Sequence, residues 1–177
     1  YKRQIFDLPY TLELMIIKLK NKDTLICDDF KFKCSIGKNG LKKNKLEGDN
    51  STPVGTFLLG PVYYRNDRVD KPYTKLKTFK INKQMGWCDD PNNVNYNKEV
   101  KLNKKIKAEK LYKKDKIYDI IIVINYNTRK IIRNKGSAIF IHVTNNYKPT
   151  RGCVALSLND IEILLKIIKK NSKIKIS

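Results

Sequence analysis

Apolar and polar positions divide the chain into short strands separated by turns. Strand patterns occupy residues 12–19, 24–36, 55–64, 117–126 and 136–144, and a final short run lies at 173–177. The segments KNKD and GKNG have the composition of turns. The runs at 117–126 and 136–144 are apolar on both faces, which is typical of central strands. The pattern therefore predicts a sheet-rich fold.

One amphipathic helix is predicted near the end of the sequence. Ser157 and Asp160 form an S-x-x-D capping signal, and apolar residues recur at helical spacing from Ile161 to Ile168. Residues 37–53 predict a polar loop, and residues 65–116 predict loops with one short helix. Since no repeat or linker interrupts the sequence, we predict one domain over residues 1–177. Its class is α+β and β-rich, with a mixed-sheet or β-sandwich-like arrangement and a few helices.

Composition narrows the function classes. The hydrophobic content of 41% and the ten tyrosines favour a globular fold over disorder. The longest apolar run, at 120–124, is far shorter than the roughly 20 residues of a membrane-spanning helix, so we predict no transmembrane segment. The net charge of +21 would attract polyanions, although a codon bias toward lysine explains it equally well. The basic residues do not cluster with aromatics, and we expect no nucleic-acid partner.

The cysteines favour thiol chemistry over metal binding. They are Cys27, Cys34, Cys88 and Cys153, and no two of them form a C-x-x-C pair. We therefore predict no metal site and no cofactor. Cys27 and Cys34 lie in neighbouring strand-like segments, so a disulfide and two buried free thiols both remain open.

The stretch FIHVTNNYKPTRGCVAL, residues 140–156, contains the only histidine of the chain. His142 points to the same face of its predicted strand as Phe140 and Thr144, and a polar segment can return the chain so that Cys153 approaches it. Gly152 leaves the backbone free for close approach just before the thiol. An imidazole can take the proton of a thiol, which then attacks a carbonyl. From spacing alone, a buried core histidine beside an inert cysteine is the favoured interpretation, because one histidine and one cysteine make a weak motif.

Several ordered motifs resemble the L,D-transpeptidases of the YkuD type. IHV…PTRGCVAL is similar to the active-site signature of that family, in which a histidine precedes an S/T-x-G-C motif. EGDNSTPVGTFLLG (47–60) resembles its T-P-x-G-T-F segment, GSAIFIHV (136–143) its histidine strand, and GWCDDPNNVNYN (86–97) a segment of one proteobacterial branch. The resemblance extends from about residue 12 to 170.

The resemblance implies an acyl-transfer reaction on peptidoglycan stem peptides. Cys153 would be the nucleophile, His142 its base, and the backbone amides of Gly152 and Cys153 would contribute to an oxyanion hole. The thiol would attack the carbonyl of the third-position diaminopimelate, expel the terminal D-alanine and leave a thioester. An amine of a second stem peptide would resolve the thioester to a crosslink, and water would instead give carboxypeptidase activity.

The sequence departs from the family pattern at Arg151, where commoner members have a histidine, and in its shorter histidine-to-cysteine interval. Arg151 cannot act as a base because it is always protonated. It is a candidate for binding a substrate carboxylate, with a solvated surface arginine as the alternative.

Four further residues are candidates for substrate binding. Trp87, Asp89 and Asp90 could form a cleft wall that holds ammonium or amide groups, or an Asx-rich loop anchored by the indole. Tyr147 lies between His142 and Cys153 and could line the same cleft or anchor its own loop.

Three functions compete at this stage: an L,D-transpeptidase, an L,D-carboxypeptidase, and a catalytically silent module that binds the cell wall or another polyanion. The resemblance implies action in the periplasm or cell envelope. The sequence begins at Tyr1, so we expect a trimmed chain whose signal peptide lies outside it.

Overall fold

The computed structural model describes residues 14–177. It contains fourteen strands and one helix: β1 Ile16–Lys20, β2 Thr24–Cys27, β3 Phe30–Ser35, β4 Leu41–Lys42, β5 Thr52–Pro53, β6 Gly55–Tyr64, β7 Thr78–Lys80, β8 Met85–Trp87, β9 Glu99–Lys101, β10 Glu109–Lys110, β11 Ile120–Ile124, β12 Phe140–Val143, β13 Val154–Leu156, α1 Leu158–Ile167 and β14 Lys173–Ile176. The predicted β-rich, mixed-sheet class is confirmed, although the described residues contain one helix and not the few that were predicted.

Eight strands form a closed ring. Their order is β11-β12-β13-β3-β2-β1-β14-β6, and β6 closes the ring because it also pairs with β11. The ten-residue β6 makes this possible, since its first half pairs with β14 and its second half with β11. Strand β7 extends the sheet from β6, and β10-β8-β9 form a separate small sheet. The pairing of β12 with β13 is parallel, which sets their carboxyl ends side by side.

Alternation along the central strands produces two apolar layers. Ile120, Ile122 and Ile124 join the larger one, which we call the ring core and which also contains the buried face of α1. Ile121 and Val123 point to the other side, into a smaller layer that includes Trp87, Tyr118, Phe140 and Cys153. We call this smaller group the cavity layer. Strands buried on both faces require apolar residues at successive positions, as the sequence at 120–124 has.

The turns and the helix follow local sequence chemistry. Asn21 and Lys22 adopt positive φ in the β1–β2 turn, and Asp28 does so where residues 24–36 fold back as the β2–β3 hairpin. Ser157 caps α1 by accepting a hydrogen bond from the Asp160 backbone N–H, as the capping signal predicted. Residues 12 and 13 of the first predicted strand lie outside the described residues.

The short helix predicted within residues 65–116 is wrong, because this segment contains four short strands and turns. Asparagine and aspartate side chains accept nearby backbone N–H groups through this segment, at Asn82, Asp90, Asn93 and Asn103. Such local bonds compete with the helical pattern of backbone hydrogen bonds. All four cysteines are free and buried, so no disulfide joins Cys27 to Cys34. Within residues 14–177, no helix is long and apolar enough to span a bilayer.

Candidate active site

The loop between β12 and β13 brings His142 and Cys153 to one cavity. Ile141 pairs with Val154 and His142 with Ala155 in parallel register, so Cys153 lies beside Phe140 on the face that also carries His142. A cavity of about 610 Å³ opens over this face and is lined by both residues. The sequence predicted that Cys153 approaches His142, although eleven positions separate the two residues.

The thiol of Cys153 has two backbone partners. Its Sγ donates to the Ala138 carbonyl at 3.2 Å and accepts from the Phe140 N–H at 3.4 Å. Burial raises the pKa of the thiol to about 12, against the smaller opposing effect of the Phe140 N–H. The resting side chain is therefore a neutral thiol, and it would need a base to act as a nucleophile.

The imidazole of His142 is held in one tautomer. Its Nδ1 lies 2.8 Å from the Val143 carbonyl, and because a carbonyl only accepts, we assign the proton to Nδ1. The Nε2 atom then carries the lone pair that can accept a proton. Burial lowers the pKa of His142 below its ordinary value, so the ring is neutral at neutral pH.

Tyr118 and Glu109 complete the inner wall, and the sequence did not reveal either. The Tyr118 ring meets the His142 ring edge to face at a centroid distance of 5.5 Å. Its hydroxyl donates to Glu109 Oε1 at 2.9 Å. Burial opposes ionisation of Glu109, but the Lys113 ammonium at 2.9 Å and the other donors hold its pKa below the ordinary value. The ionised carboxylate thus fixes the ring that packs on His142.

Position 152 requires a glycine, because of both its backbone conformation and the atoms around it. Its φ is +138°, and a Cβ there would lie 2.8 Å from the Ser51 carbonyl oxygen. Its N–H donates to Thr150 Oγ1 at 3.1 Å, and that hydroxyl donates to the Cys153 carbonyl at 2.6 Å. The amide that the resemblance assigned to an oxyanion hole therefore already has an acceptor within its own loop.

Arg151 and Asp89 both line the cavity. The Arg151 side chain is 79% exposed and meets Glu109 at 3.2 Å, so its guanidinium can exchange this partner for a ligand carboxylate. The Oδ1 atom of Asp89 is buried and has no hydrogen-bond partner among the described residues. Burial raises the pKa of this carboxyl group.

Trp87, Asp90 and Tyr147 contact other parts of the protein. The buried indole of Trp87 donates to Asn97 Oδ1 at 2.9 Å and packs on Phe140. Asp90 accepts the Asn92 N–H in an Asx turn, and Tyr147 lies under the Lys33 ammonium. These contacts favour the structural interpretation for all three residues.

Asn97 connects this segment to Cys153. Its Oδ1 also accepts the Ala138 N–H at 3.0 Å, and its amide nitrogen donates to two carbonyls of the 126–127 loop. Ala138 in turn accepts the Cys153 thiol. The 86–97 segment therefore supports the site from behind, through Asn97.

Comparison with solved structures gives the same fold. Two crystal structures of the helical cell shape determining protein Pgp2 from Campylobacter jejuni, one of them a point mutant, match with TM-scores of 0.52 and 0.53 at 17% and 18% identity. Each match covers 93% of this chain and 47% of that one, so the chain spans about half the length of Pgp2.

L,D-transpeptidase 1 of Mycobacterium tuberculosis matches at 11% identity with a TM-score of 0.39, over 92% of this chain and 61% of that one. No curated protein sequence matches the chain. The sequence profile described as the YkuD L,D-transpeptidase catalytic domain matches residues 14–176, almost the whole chain. The chain therefore belongs to the YkuD family of L,D-transpeptidase catalytic domains.

Proposed function

We propose that the chain is a peptidoglycan L,D-transpeptidase in which Cys153 forms a thioester with a stem peptide. The observation that carries this proposal is the geometry at the cavity floor. A thiol with a backbone N–H donor lies on the same strand face as an imidazole whose Nε2 is available as a base. Family membership supports the same reaction.

The proposed acylation step begins from two neutral groups. The thiol proton moves to His142 Nε2 as Sγ attacks the substrate carbonyl, whose π electrons move to its oxygen. The tetrahedral intermediate then collapses, the C–N bond breaks, and the departing amine takes the proton from His142. The products of this step are a thioester on Cys153 and free D-alanine.

The second step returns the enzyme to its starting state. An amine of another stem peptide attacks the thioester carbonyl and transfers a proton through His142 to the departing thiolate. A new amide bond forms, and the C–S bond breaks. If water attacks instead, the product is a tripeptide stem and the enzyme acts as an L,D-carboxypeptidase.

The charges around the cavity suit a substrate with both carboxylates and amines. Lys45, Lys107, Lys148 and Arg151 line it together with Glu47, Asp89, Glu109 and Asp115. Arg151 is the candidate for a substrate carboxylate, and Asp89 the candidate for an amine or amide. We place the reaction in the periplasm or cell envelope, where peptidoglycan lies and where a net charge of +21 favours contact with acidic polymers.

The test is an incubation with disaccharide-tetrapeptide, with the products identified by mass spectrometry. A crosslinked dimer is the expected product, and it should be lost in Cys153→Ala and in His142→Ala. The matched control is Cys27→Ala, which removes another buried thiol, one that belongs to the ring core. Tripeptide alone would establish the carboxypeptidase, and dimer formation by Cys153→Ala would overturn the proposal. Unchanged substrate with salt-sensitive binding to sacculi would favour the silent wall-binding module.

A further inference from the structure

Lys45 is a buried cation in the wall of the catalytic cavity. It belongs to the loop between β4 and β5, and its side chain is only 3% exposed. Its Nζ contacts Asp49 Oδ1 at 2.7 Å, and Asp49 also accepts the backbone N–H groups of Leu46 and Ser51. Burying a charge costs free energy even when it is paired, which makes this lysine unlike the many surface lysines of the chain.

Two glycines leave the space that Lys45 occupies. A Cβ at Gly136 would lie 2.7 Å from Lys45 Cε, so the stem passes directly over that residue. A Cβ at Gly152 would lie 3.4 Å from Lys45 Nζ, which sets the ammonium beside the residue that precedes the nucleophile. Both Gly136 and Gly152 have positive φ, which favours glycine. Because neither residue has a Cβ, the two loops leave room for the Lys45 side chain.

One N–H group of the Lys45 ammonium has no acceptor among the described residues. The ammonium carries three N–H groups, of which one goes to Asp49 and one to the Leu46 carbonyl at 3.4 Å among the described residues. The amide of Gly152 is already occupied by Thr150 Oγ1. Of the two amides that the resemblance assigned to the oxyanion hole, the Cys153 N–H would then act alone, and the ammonium of Lys45, a buried cation in this wall, is the candidate for a second donor.

The charge of Lys45 also acts on the nucleophile. Burial raises the pKa of the Cys153 thiol, and the positive charge of Lys45 opposes that rise. A fixed cation at this place in a poorly solvated cavity stabilises negative charge more strongly than it would in water.

We infer that Lys45 is a further catalytic residue, whose ammonium binds the oxyanion formed when Cys153 attacks the substrate carbonyl. The inference rests on the proposed acyl transfer through Cys153. In the step, the Sγ–C bond forms, the carbonyl π electrons move to oxygen, and Lys45 donates an N–H to that oxygen. On collapse, the carbonyl reforms as the amine leaves with the proton from His142, and Lys45 keeps its own protons.

The test compares two reactions of the same thiol. Acylation of Cys153 by p-nitrophenyl acetate passes through a tetrahedral oxyanion, whereas alkylation by iodoacetamide does not. Both rates are measured for the wild type, Lys45→Met and Lys45→Arg, with Cys153→Ala as the background. The matched control is Lys42→Met, because the Lys42 ammonium also pairs with Asp49, at 3.4 Å, but lies on the surface outside the cavity lining.

The inference predicts that Lys45→Met lowers the ratio of the acylation rate to the alkylation rate by about 10²–10³-fold. Lys45→Arg should restore most of the ratio, and Lys42→Met should leave it within about twofold of wild type. If the circular dichroism spectrum shows that Lys45→Met is unfolded, Lys45→Gln is measured instead, with the same expected change in the ratio. An unchanged ratio, or equal loss of both rates, would overturn the inference.

The ester and the alkylating agent are not peptidoglycan, so the ratio is informative whatever the natural substrate is. A lowered ratio in Lys45→Met together with no reaction on disaccharide-tetrapeptide would reject the proposed substrate and keep the role of Lys45. If the wild type forms the crosslinked dimer but the ratio is unchanged in Lys45→Met, the proposed function stands and the role of Lys45 is rejected.

Discussion

The two apolar layers of the domain differ in what they contain. The ring core is built mainly from aliphatic and aromatic side chains of the strands and α1, such as Ile122, Leu156 and Leu164, and its two thiols, Cys27 and Cys34, are buried within it. The cavity layer has apolar neighbours of similar kind, but Tyr118, His142 and Cys153 each present a polar atom at its edge. One sheet thus supports a packed interior on one face and reactive groups on the other.

We expect the ring core to contribute mainly to the stability of the domain and the cavity layer mainly to its activity. Removing an atom from the ring core leaves a void that the surrounding strands cannot fill, whereas the cavity layer already opens to a space of about 610 Å³. Substitutions in the two layers should therefore have opposite profiles: large losses of stability in one and large losses of activity in the other.

The largest expected effect is the loss of acyl transfer in Cys153→Ala. Without the thiol no thioester can form, and kcat should fall by at least about 10⁴-fold. The free energy of unfolding should change by no more than about 1 kcal/mol, because the thiol makes only two weak hydrogen bonds. Steady-state turnover and urea denaturation of the same preparation measure both quantities. A destabilisation of several kcal/mol would place Cys153 with the ring core instead.

The opposite profile is expected for Leu164→Ala in α1. Leu164 is fully buried in the ring core, so truncation should lower the free energy of unfolding by about 2–5 kcal/mol. Turnover by the fraction that remains folded should stay within about threefold of wild type. Glu162→Ala, on the exposed face of the same helix, should change stability by less than about 0.5 kcal/mol. Equal effects of the two substitutions in urea denaturation would show that α1 does not seal the ring core.

These two layers were not equally accessible to prediction. The runs at 117–126 and 136–144 predicted central strands, and the Ser157 capping signal predicted the start of α1, because periodicity and capping are local properties. His142, Gly152 and Cys153 could be assembled because their motif is also local. The places of Glu109 and Tyr118 and the proposed role of Lys45 could not, since they depend on contacts between distant segments and nothing in the sequence distinguishes Lys45 from its many neighbours of the same type.

The predicted helix within 65–116 failed for a related reason. Apolar spacing does not report the asparagine and aspartate side chains that accept backbone N–H groups and hold the chain in turns. The same segment contains Trp87, a candidate for the cleft wall. Its indole packs on Phe140 behind the site and supports the strand that carries His142.

The resting state of the thiol gives a pH-dependent prediction. Since burial raises the pKa of Cys153 from its ordinary value of 9.0 to about 12, its thiolate fraction should increase tenfold for each pH unit up to about 11. Iodoacetamide alkylation of Cys153 in His142→Ala, which lacks the base that would take the thiol proton, should therefore rise about 10³-fold between pH 7 and pH 10 without a plateau, as measured by peptide mapping. A free thiol such as N-acetylcysteine should level off near pH 9–10. A plateau of the protein reaction below pH 8 would mean that a thiolate exists at rest.

The smallest expected effect comes from Tyr118→Phe, which keeps the ring on His142 and removes the hydroxyl bonded to Glu109. Loss of one hydrogen bond to a carboxylate should cost about 1.5–3 kcal/mol of stability. The aromatic contact remains, so kcat/KM should fall by only about tenfold. Tyr112→Phe is a matched control, since its hydroxyl bonds to the exposed Asp67 outside the cavity. A larger loss of activity than in His142→Ala would give the Tyr118 hydroxyl a direct part in the reaction.

We propose that the cavity layer presents Cys153 as an acyl-accepting nucleophile. Peptide mapping of the wild-type protein, quenched in acid during reaction with disaccharide-tetrapeptide, detects the acyl-enzyme itself. We expect an adduct of the disaccharide-tripeptidyl acyl group on Cys153 that hydroxylamine removes, and no adduct in Cys153→Ala. Consumption of the substrate without an adduct on Cys153, or an adduct on another residue, would contradict the proposal.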